Sequence, residues 1–200
     1  MKKRNLLTCA LLASLLALAG CKDAADTPAA AASAAAPVPT VSIAAIASEA
    51  KGFTVGSAIS VRTVYVFFDP QCPHCAELWQ QAKPLKSQAK FVWIPVGLLN
   101  PSSGPQGAAI LAAADPAAAM DAHEASMAAK TGGITATGDL AAQKAAVDAN
   151  TKLMNRFQFQ GVPTIVAKHA VTGELVVKEG ALPTAMLAAA LGLQPPAPAN

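Results

Sequence analysis

Residues 61–75 read VRTVYVFFDPQCPHC, and this stretch decides the fold. Its first part, Val61 to Phe68, is β-branched, aromatic and almost wholly apolar, which is typical of a central strand buried on both faces. Asp69-Pro70 ends the strand. Pro73 then suits the first turn of a helix, where its missing N–H costs nothing. The stretch therefore predicts a strand that leads into a helix whose start carries a C-x-x-C pair.

Signals on either side of this stretch complete the first half of the domain. Residues 53–56 predict a short edge strand, and residues 91–96 predict the next strand after the helix. Between them, apolar residues recur at helical spacing: Leu78, Trp79, Ala82, Leu85 and Ala89. Pro84 interrupts this spacing and predicts a kink. The strand–helix–strand order predicts two parallel strands joined by a right-handed crossover.

The second half begins with an Ala-rich, helix-forming segment over residues 106–157. Three apolar residues seven apart form a stripe predicted to pack against the sheet: Leu140, Val147 and Met154. Residues 161–167 and 174–178 then predict two strands of a hairpin, and a final helix follows Gly180. The predicted class is α/β, with the order β-β-α-β, a helical insertion, and β-β-α.

The N-terminus has the pattern of an export signal over residues 1–20. A basic start precedes an apolar stretch, residues 6–19, that is too short to span a bilayer as a stable helix. It closes on Leu-Ala-Gly-Cys21, which resembles the bacterial lipobox, whose cysteine is acylated and becomes the new N-terminus. An ordinary signal that leaves Cys21 free is the alternative. A lipid-anchored periplasmic protein is therefore expected, and Lys22 after the cysteine favours the outer membrane.

Composition divides the rest of the chain into three parts. Residues 21–45 contain the lipidated cysteine and an Ala/Pro-rich tether, for which an Ala-rich helix limited by Pro37 and Pro39 is the competing interpretation. Residues 46–193 are predicted to form one domain, and residues 194–200 an unpatterned, disordered tail. The net charge of +3 comes from the three basic residues of the signal. The exported chain is therefore near neutral, with no cationic face for nucleic acid.

Cysteine usage points to redox chemistry. Of the four cysteines, Cys9 leaves with the signal and Cys21 is predicted to be acylated. Cys72 and Cys75 remain, both in one C-x-x-C, so they are expected to form a redox-active disulfide that needs no further cofactor. The alternative is half of a zinc site, but such a site normally takes four protein ligands. There is no second cysteine pair, and the histidines are scattered: His74, His123 and His169.

The position of the pair at a helix start assigns different tasks to the two thiols. Unpaired N–H groups and the helix dipole stabilise a thiolate on Cys72, which lowers its pKa and makes it a nucleophile and a good leaving group. Cys75, one turn into the helix, is expected to be shielded and to attack the Cys72 mixed disulfide. His74 is predicted to tune the pKa as an additional donor or cation, and a solvated histidine with little effect is the alternative.

Val162-Pro163 opens the strand that follows the helical segment. An X-Pro bond that opens a strand after a glycine break can be cis. Taken alone, a proline at the start of a strand is also an ordinary edge device.

The stretch around the C-x-x-C pair resembles a known family. Residues 66–75 with Trp79-Gln-Gln-Ala82 are similar to the catalytic domain of the periplasmic Dsb proteins, above all the DsbG/DsbC family. Residues 108–116 and 152–154 add to a similarity that covers most of residues 52–192.

This resemblance implies a thioredoxin-like fold in which Cys72 attacks and Cys75 resolves. It further implies that Pro163 is a cis proline that faces the C-x-x-C, and that the backbone of Val162 pairs with an extended substrate. It also implies reduction or isomerisation of disulfides, or reduction of sulfenic acids, in exported proteins. A DsbD-like membrane electron donor would keep the pair reduced.

Three departures from the family keep alternatives open. The DsbG/DsbC family has an N-terminal dimerisation domain that this sequence does not show, so a monomer is expected. His74 and Val162 match the pairing of DsbA-like oxidases, which are recycled by a DsbB-like partner, whereas DsbG-like proteins usually have Tyr and Thr. Val66 occupies the strand position where thioredoxin and DsbA have an acid, so protons must reach Cys75 by another route. A metal-binding lipoprotein is the alternative from outside the class.

Overall fold

The computed structural model describes residues 40–196. The strands are β1 (Phe53–Gly56), β2 (Thr63–Phe68), β3 (Lys90–Pro95), β4 (Thr164–Lys168) and β5 (Leu175–Glu179). The helices are α1 (Ile43–Glu49), α2 (Pro73–Ala82), α3 (Ser103–Ala112), α4 (Pro116–Ala128), α5 (Ala141–Arg156) and α6 (Thr184–Leu191). The predicted signal, the acylated Cys21 and most of the tether lie outside the described residues.

The five strands form one mixed sheet in the order β1-β3-β2-β4-β5. Strand β2 lies at its centre, parallel to β3 and antiparallel to β4, and Val66 pairs with Trp93 on one side and Ile165 on the other. Strand β1 is antiparallel to β3 at one edge. The predicted central strand, edge strand and parallel pair are confirmed.

Helices cover both faces of the central strand. Val64, Val66 and Phe68 point to the face where α2 and α6 pack, and Phe67 points to the face where α1 and α5 pack. All four side chains are buried. Burial of each such side chain stabilises the fold by about 2 kcal/mol, which explains why apolar residues follow one another in this strand rather than alternating with polar ones.

Helix α2 is shorter than predicted. It ends at Ala82, and a 3-10 turn over Lys83–Leu85 follows, so Pro84 ends the helix where a kink was predicted. The reason is that Pro84 has no N–H to donate to the carbonyl of Gln80, four residues earlier.

Aromatic rings fix α2 on the sheet. Trp79 packs edge-on against Trp93 with 4.9 Å between ring centroids, and it also contacts Phe53 at 6.1 Å. Phe68 joins the same group through Trp93 at 5.7 Å. Such aromatic pairs contribute about 0.5–1.5 kcal/mol each beyond their buried area. They hold the start of α2 at the carboxyl end of β2.

Three helices, α3 to α5, connect β3 to β4, and the packing of α5 corrects one prediction. Met154 packs on the sheet with Phe67, as expected. Leu140 and Val147 instead pack with Ala108 of α3. A repeat of seven keeps residues on one helix face, but it does not specify which neighbour that face meets.

Helix α1 was not predicted, and it begins inside the segment interpreted as tether. The side chain of Ser42 accepts a hydrogen bond from the backbone N–H of Ala45 and caps the helix. Ile46 is fully buried against the face of the sheet that α5 covers. A helix of seven residues depends on such packing rather than on propensity. Within residues 40–196, no helix combines the length and apolar character needed to cross a bilayer.

Candidate active site

The candidate site lies where β2 gives way to α2. Cys72 is the N-cap of the helix, with extended backbone angles (φ −92°, ψ 114°), and Pro73 occupies the first helical position. The backbone N–H of Cys75 donates to the Sγ atom of Cys72 at 3.3 Å. The sulfur therefore takes the place of the oxygen that usually caps a helix, and it faces the positive end of the helix dipole.

This position lowers the pKa of the Cys72 thiol. The value falls from 9.0 to about 7, first because the thiol of Cys75 donates a hydrogen bond to it, and then because of the backbone N–H groups of Cys75 and His74. Burial acts in the opposite direction, since only 6% of Cys72 is exposed. A large fraction of Cys72 is consequently a thiolate at neutral pH.

Cys75 has the opposite character. Its side chain is fully buried, and burial raises the pKa of its thiol well above the usual range. The hydrogen bond to Cys72 and the negative charge of that thiolate act in the same direction. Both thiols are free in this structure. The pair thus combines one ionisable sulfur at the surface edge with one protonated sulfur beneath it.

The side chain of His74 is largely exposed to solvent. Its side chain is 73% exposed, and Nδ1 lies 3.6 Å from a carboxylate oxygen of Glu77, one turn along the helix. Its backbone N–H lowers the pKa of Cys72, and its positive charge is the smallest of the contributions. The pKa tuning predicted for His74 therefore comes more from its peptide group than from its ring.

The Val162-Pro163 peptide bond is cis and lies against the cysteine pair. The thiol of Cys72 donates to the carbonyl oxygen of Val162 at 3.5 Å, although the two residues are 90 positions apart. Val162 is half-buried, and β4 begins at Thr164, directly after Pro163. The structure thus brings the two predicted motifs, Cys72-Pro73-His74-Cys75 and Val162-Pro163, together through the contact of Cys72 with Val162.

A groove of about 680 Å³ opens beside Cys72, between α2 and α4. Pro73 and Ala76 line one side, and Met127 and Ala128 line the other. The lining of the groove is largely apolar, which suits contact with apolar groups of a ligand. Glu124 of α4 lies in the wall with only 7% of its surface exposed.

Polar contacts hold α4 at its distance from α2. The indole N–H of Trp79 donates to Asp121 Oδ1 at 2.7 Å, and Lys83 Nζ donates to the same oxygen at 2.6 Å. Trp79 also packs α2 against the sheet. Its hydrogen bond to Asp121 therefore fixes α4, the second wall of the groove, relative to α2 and the sheet.

A buried carboxylate supports the loop before Cys72. Asp69 is fully buried, and its side chain accepts hydrogen bonds from the backbone N–H groups of Gln71, Leu98 and Leu99 at 2.7–3.0 Å. Its backbone carbonyl accepts from the N–H of Cys72 at 3.0 Å. Asp69 thus joins the loop after β3 to the residue that carries the reactive sulfur.

A second support comes from His123 of α4, which is fully buried. Its Nε2 lies 2.7 Å from the carbonyl oxygen of Pro70, and its Nδ1 accepts from the N–H of Ile134 at 3.2 Å. Nε2 is therefore the protonated nitrogen of a neutral ring. Burial lowers the pKa of His123, which keeps it neutral.

Sequence reasoning missed these supporting residues. Asp121 and Glu124 are three positions apart on α4, so the sequence places them on one helix face, but nothing in that spacing directs the face towards Cys72. His123 was counted among the scattered histidines, and its contact with Pro70 depends on tertiary packing. Across the described part of the chain, 40–196, no three His, Cys, Asp or Glu side chains come together as a metal site would require.

The fold and this site define the class of protein. The chain belongs to the thioredoxin-like domain family, whose pattern matches residues 57–194. That range contains the C-x-x-C pair, the cis proline and all of strands β2 to β5.

Two relatives give the likeness more detail, and both are thiol:disulfide interchange proteins named DsbG. The chain is 34% identical to the one from Pseudomonas aeruginosa over 143 residues, which are 68% of this chain and 54% of the relative. It is 46% identical to the one from Escherichia coli over 65 residues, 32% of this chain and 26% of the relative. The predicted resemblance to DsbG-type proteins is confirmed, although the chain spans only about half or less of these relatives.

Solved structures agree on the fold. The catalytic domain of Proteus mirabilis ScsC superposes with a TM-score of 0.56 at 18% identity, over 74% of this chain and 91% of that domain. The predicted α/β, thioredoxin-like fold is confirmed.

Proposed function

We propose that this protein is a thiol–disulfide oxidoreductase that acts on cysteines of exported proteins. One observation carries the proposal: an ionisable Cys72 sulfur caps a helix directly above a buried Cys75 thiol and 3.5 Å from the carbonyl of Val162. That carbonyl belongs to the backbone with which an extended substrate pairs in this fold. Likeness to the two DsbG proteins supports the same activity.

In the reducing direction the steps follow from the two thiols. The Cys72 thiolate attacks a substrate disulfide, so that one S–S bond forms as another breaks and a substrate thiolate leaves. The thiol of Cys75 then loses its proton and attacks the Cys72 sulfur. This releases the reduced substrate and leaves a Cys72–Cys75 disulfide, so two electrons have passed from the protein to the substrate. Burial keeps Cys75 protonated until formation of the mixed disulfide makes the neighbouring Cys72 sulfur electrophilic.

We infer that reduction or isomerisation, or reduction of sulfenic acids, is the physiological direction, with a DsbD-like membrane donor that restores the dithiol. The likeness to DsbG supports this direction. The alternative is a DsbA-like oxidase with a DsbB-like partner, which His74 and Val162 favour. No cofactor other than the redox-active pair is needed in either direction.

The equilibrium potential of the pair, measured against a glutathione series, separates the two. A value near that of thioredoxin, about −270 mV, supports the reductant, and a value near that of DsbA, about −120 mV, identifies an oxidase. No reversible two-electron titration at all would contradict both.

Two cysteine variants test the assigned roles. Cys72→Ser should abolish disulfide exchange, because the remaining thiol, Cys75, is fully buried and protonated. Cys75→Ser should retain attack but accumulate mixed disulfides with its substrates, which non-reducing electrophoresis detects. Unchanged exchange by Cys72→Ser would refute the proposal.

We also propose that the protein is exported and anchored by lipid at Cys21, in the periplasm and at the outer membrane, and that it acts as a monomer. The lipobox-like end of the signal and Lys22 support the location. The presence of both cysteines and the cis proline in one domain supports the monomer. Labelling of cells with a fatty acid analogue should mark the wild-type protein but not Cys21→Ser, and light scattering of the domain should give the mass of one chain.

A further inference from the structure

One acid in the groove beside Cys72 lacks a partner. Glu124 is 7% exposed, and its Oε1 atom has no hydrogen-bond partner within the described part of the chain. A buried polar atom left in this state costs about 1–3 kcal/mol. Such a cost points to a ligand or a reacting group that supplies the missing contact when the groove is occupied.

The other charged groups of the groove are arranged differently. On α4, the helix that also carries Glu124, Asp121 accepts hydrogen bonds from Trp79 and Lys83. On the opposite wall, Glu77 is half exposed and lies next to His74. Glu124 is therefore the acid of this groove that is both buried and unpartnered.

Glu124 and Cys72 are electrostatically linked. Burial raises the pKa of Glu124 to about 7, and the negative charge of the Cys72 thiolate and that of Asp121 add to this effect. Because the interaction is reciprocal, a charge on either group disfavours a charge on the other. The site is thus suited to hold a thiolate on Cys72 together with a neutral carboxylic acid on Glu124.

We propose that Glu124 is the proton donor of this groove: it protonates the group that leaves the substrate sulfur when Cys72 attacks. The inference rests on the proposed function. With a disulfide, the new Cys72–substrate S–S bond forms as the old one breaks, and the departing thiolate takes the proton of Glu124. With a sulfenic acid, the S–O bond breaks and hydroxide leaves with that proton as water.

Loss of the negative charge on Cys72 favours proton transfer from Glu124 during the attack. The thiolate charge on Cys72 disappears when the mixed disulfide forms, and with it one of the causes that raised the pKa of Glu124. The acid therefore becomes stronger in the same step in which the leaving group needs a proton. Water in the open groove then restores the proton. This also gives the site a proton-handling side chain, although Val66 stands where thioredoxin has its acid.

The test compares two disulfide probes of similar charge in a Cys75→Ser background. Glutathione disulfide releases an alkyl thiolate that gains from protonation, whereas dithiobis(nitrobenzoate) releases a stable aromatic thiolate that does not. Glu124→Gln keeps the shape of the side chain and removes its acid proton. We expect the single-turnover rate with glutathione disulfide to fall about 100-fold and the rate with the aromatic probe to stay within about twofold.

A pH profile and a control variant complete the design. With glutathione disulfide, the rate of the parent should rise as Cys72 ionises and fall as Glu124 loses its proton, with a maximum near pH 7, whereas the Glu124→Gln rate should rise and then stay level. Glu174→Gln, an exposed acid on the turn before β5, should change neither rate. The thiolate absorbance of Cys72, measured in each variant, corrects the rates for any change in the nucleophile.

Two outcomes would overturn the inference. Equal losses with both probes would mean that Glu124 acts on Cys72 itself, and no loss with either would mean that its proton is not used. If the parent protein reacts with neither probe, the proposed function itself fails, which the aromatic probe reports independently of Glu124.

Discussion

The backbone N–H of Cys75 donates to the sulfur of Cys72 across 3.3 Å, while the thiol of Cys75 is itself fully buried. Cys75 therefore stabilises the Cys72 thiolate through its backbone N–H, while burial keeps its own thiol protonated and out of reach of solvent. The asymmetry follows from a single turn of helix, because position 72 lies at the open end and position 75 faces the core.

The first prediction concerns the ionisation of Cys72. The ultraviolet absorbance of the thiolate should titrate with a midpoint near pH 7, because N–H and S–H donors stabilise the charged sulfur. Iodoacetamide should modify Cys72 at a rate that follows the same curve, while Cys75 stays unmodified. Cys72→Ser provides the baseline. A midpoint at or above 9.0, the pKa of the free thiol, would show that the helix start does not act on this sulfur.

Protein stability in the reduced state should depend on pH through the same group. The pKa of Cys72 is lower in the folded chain than the 9.0 of the free thiol, so between about pH 7 and 9 the unfolded chain binds more protons. Folded-state stability should therefore rise over this window, and the Cys72 contribution should be lost as pH falls through 7. A displacement of this size corresponds to about 2–3 kcal/mol.

Urea unfolding of the wild type and Cys72→Ser, both with a reductant, isolates this contribution. The difference in unfolding free energy between the two should grow from pH 7 to 9. Above that window the buried Cys75 thiol should reverse the trend in both proteins, since its pKa is raised in the folded state and only the unfolded chain then releases that proton. A difference independent of pH would contradict the prediction.

Asn150 should be a stability residue that no sequence pattern marks. It is fully buried on α5, and its side chain makes three hydrogen bonds at 2.7–2.9 Å, two with the backbone of Lys51 and one with the carbonyl of Pro95. Asn150→Ala leaves these groups unpaired and should cost about 2–3 kcal/mol in urea unfolding. Asn155→Ala, an exposed asparagine on the same helix, should cost less than about 0.5 kcal/mol. Equal costs would show that the three bonds add nothing.

Gly133 should tolerate no side chain, because it lies against His123. Its φ is +87°, and an added Cβ would lie 2.5 Å from Cε1 of the His123 ring. Gly132→Ala is a matched control, since its φ is +91° and no atom lies within 4 Å of the added carbon. The control should cost about 1 kcal/mol from backbone strain alone. Gly133→Ala should cost at least about 2 kcal/mol more, as measured by thermal unfolding, because the ring must shift and its bond to Pro70 must weaken. Similar losses in the two variants would mean that the ring is not fixed.

Much of the fold was predictable because its signals are local. The apolar run at 63–68, the proline after Cys72 and the helical spacing of Leu78 and Trp79 each act within a few residues. The structure differs from the prediction where a local signal is compatible with two structures. Pro84 can kink a helix or end it, and here it ends it. Ile43 and Ile46 form too short a pattern to distinguish a helix from a tether until the sheet supplies a surface for them.

The roles of the two thiols could likewise be predicted from sequence, whereas the cis state of Pro163 was only implied by the family resemblance. The structure shows that the Val162-Pro163 bond is cis and that Val162 contacts Cys72. By itself the sequence determined which sulfur lies at the helix start, because backbone N–H groups and the helix dipole act along the chain. Only the tertiary structure decided what surrounds that sulfur. Glu124, His123 and Asp69 reach the site through helix packing and loop contacts that join distant segments, and spacing along a chain carries no information on which faces meet.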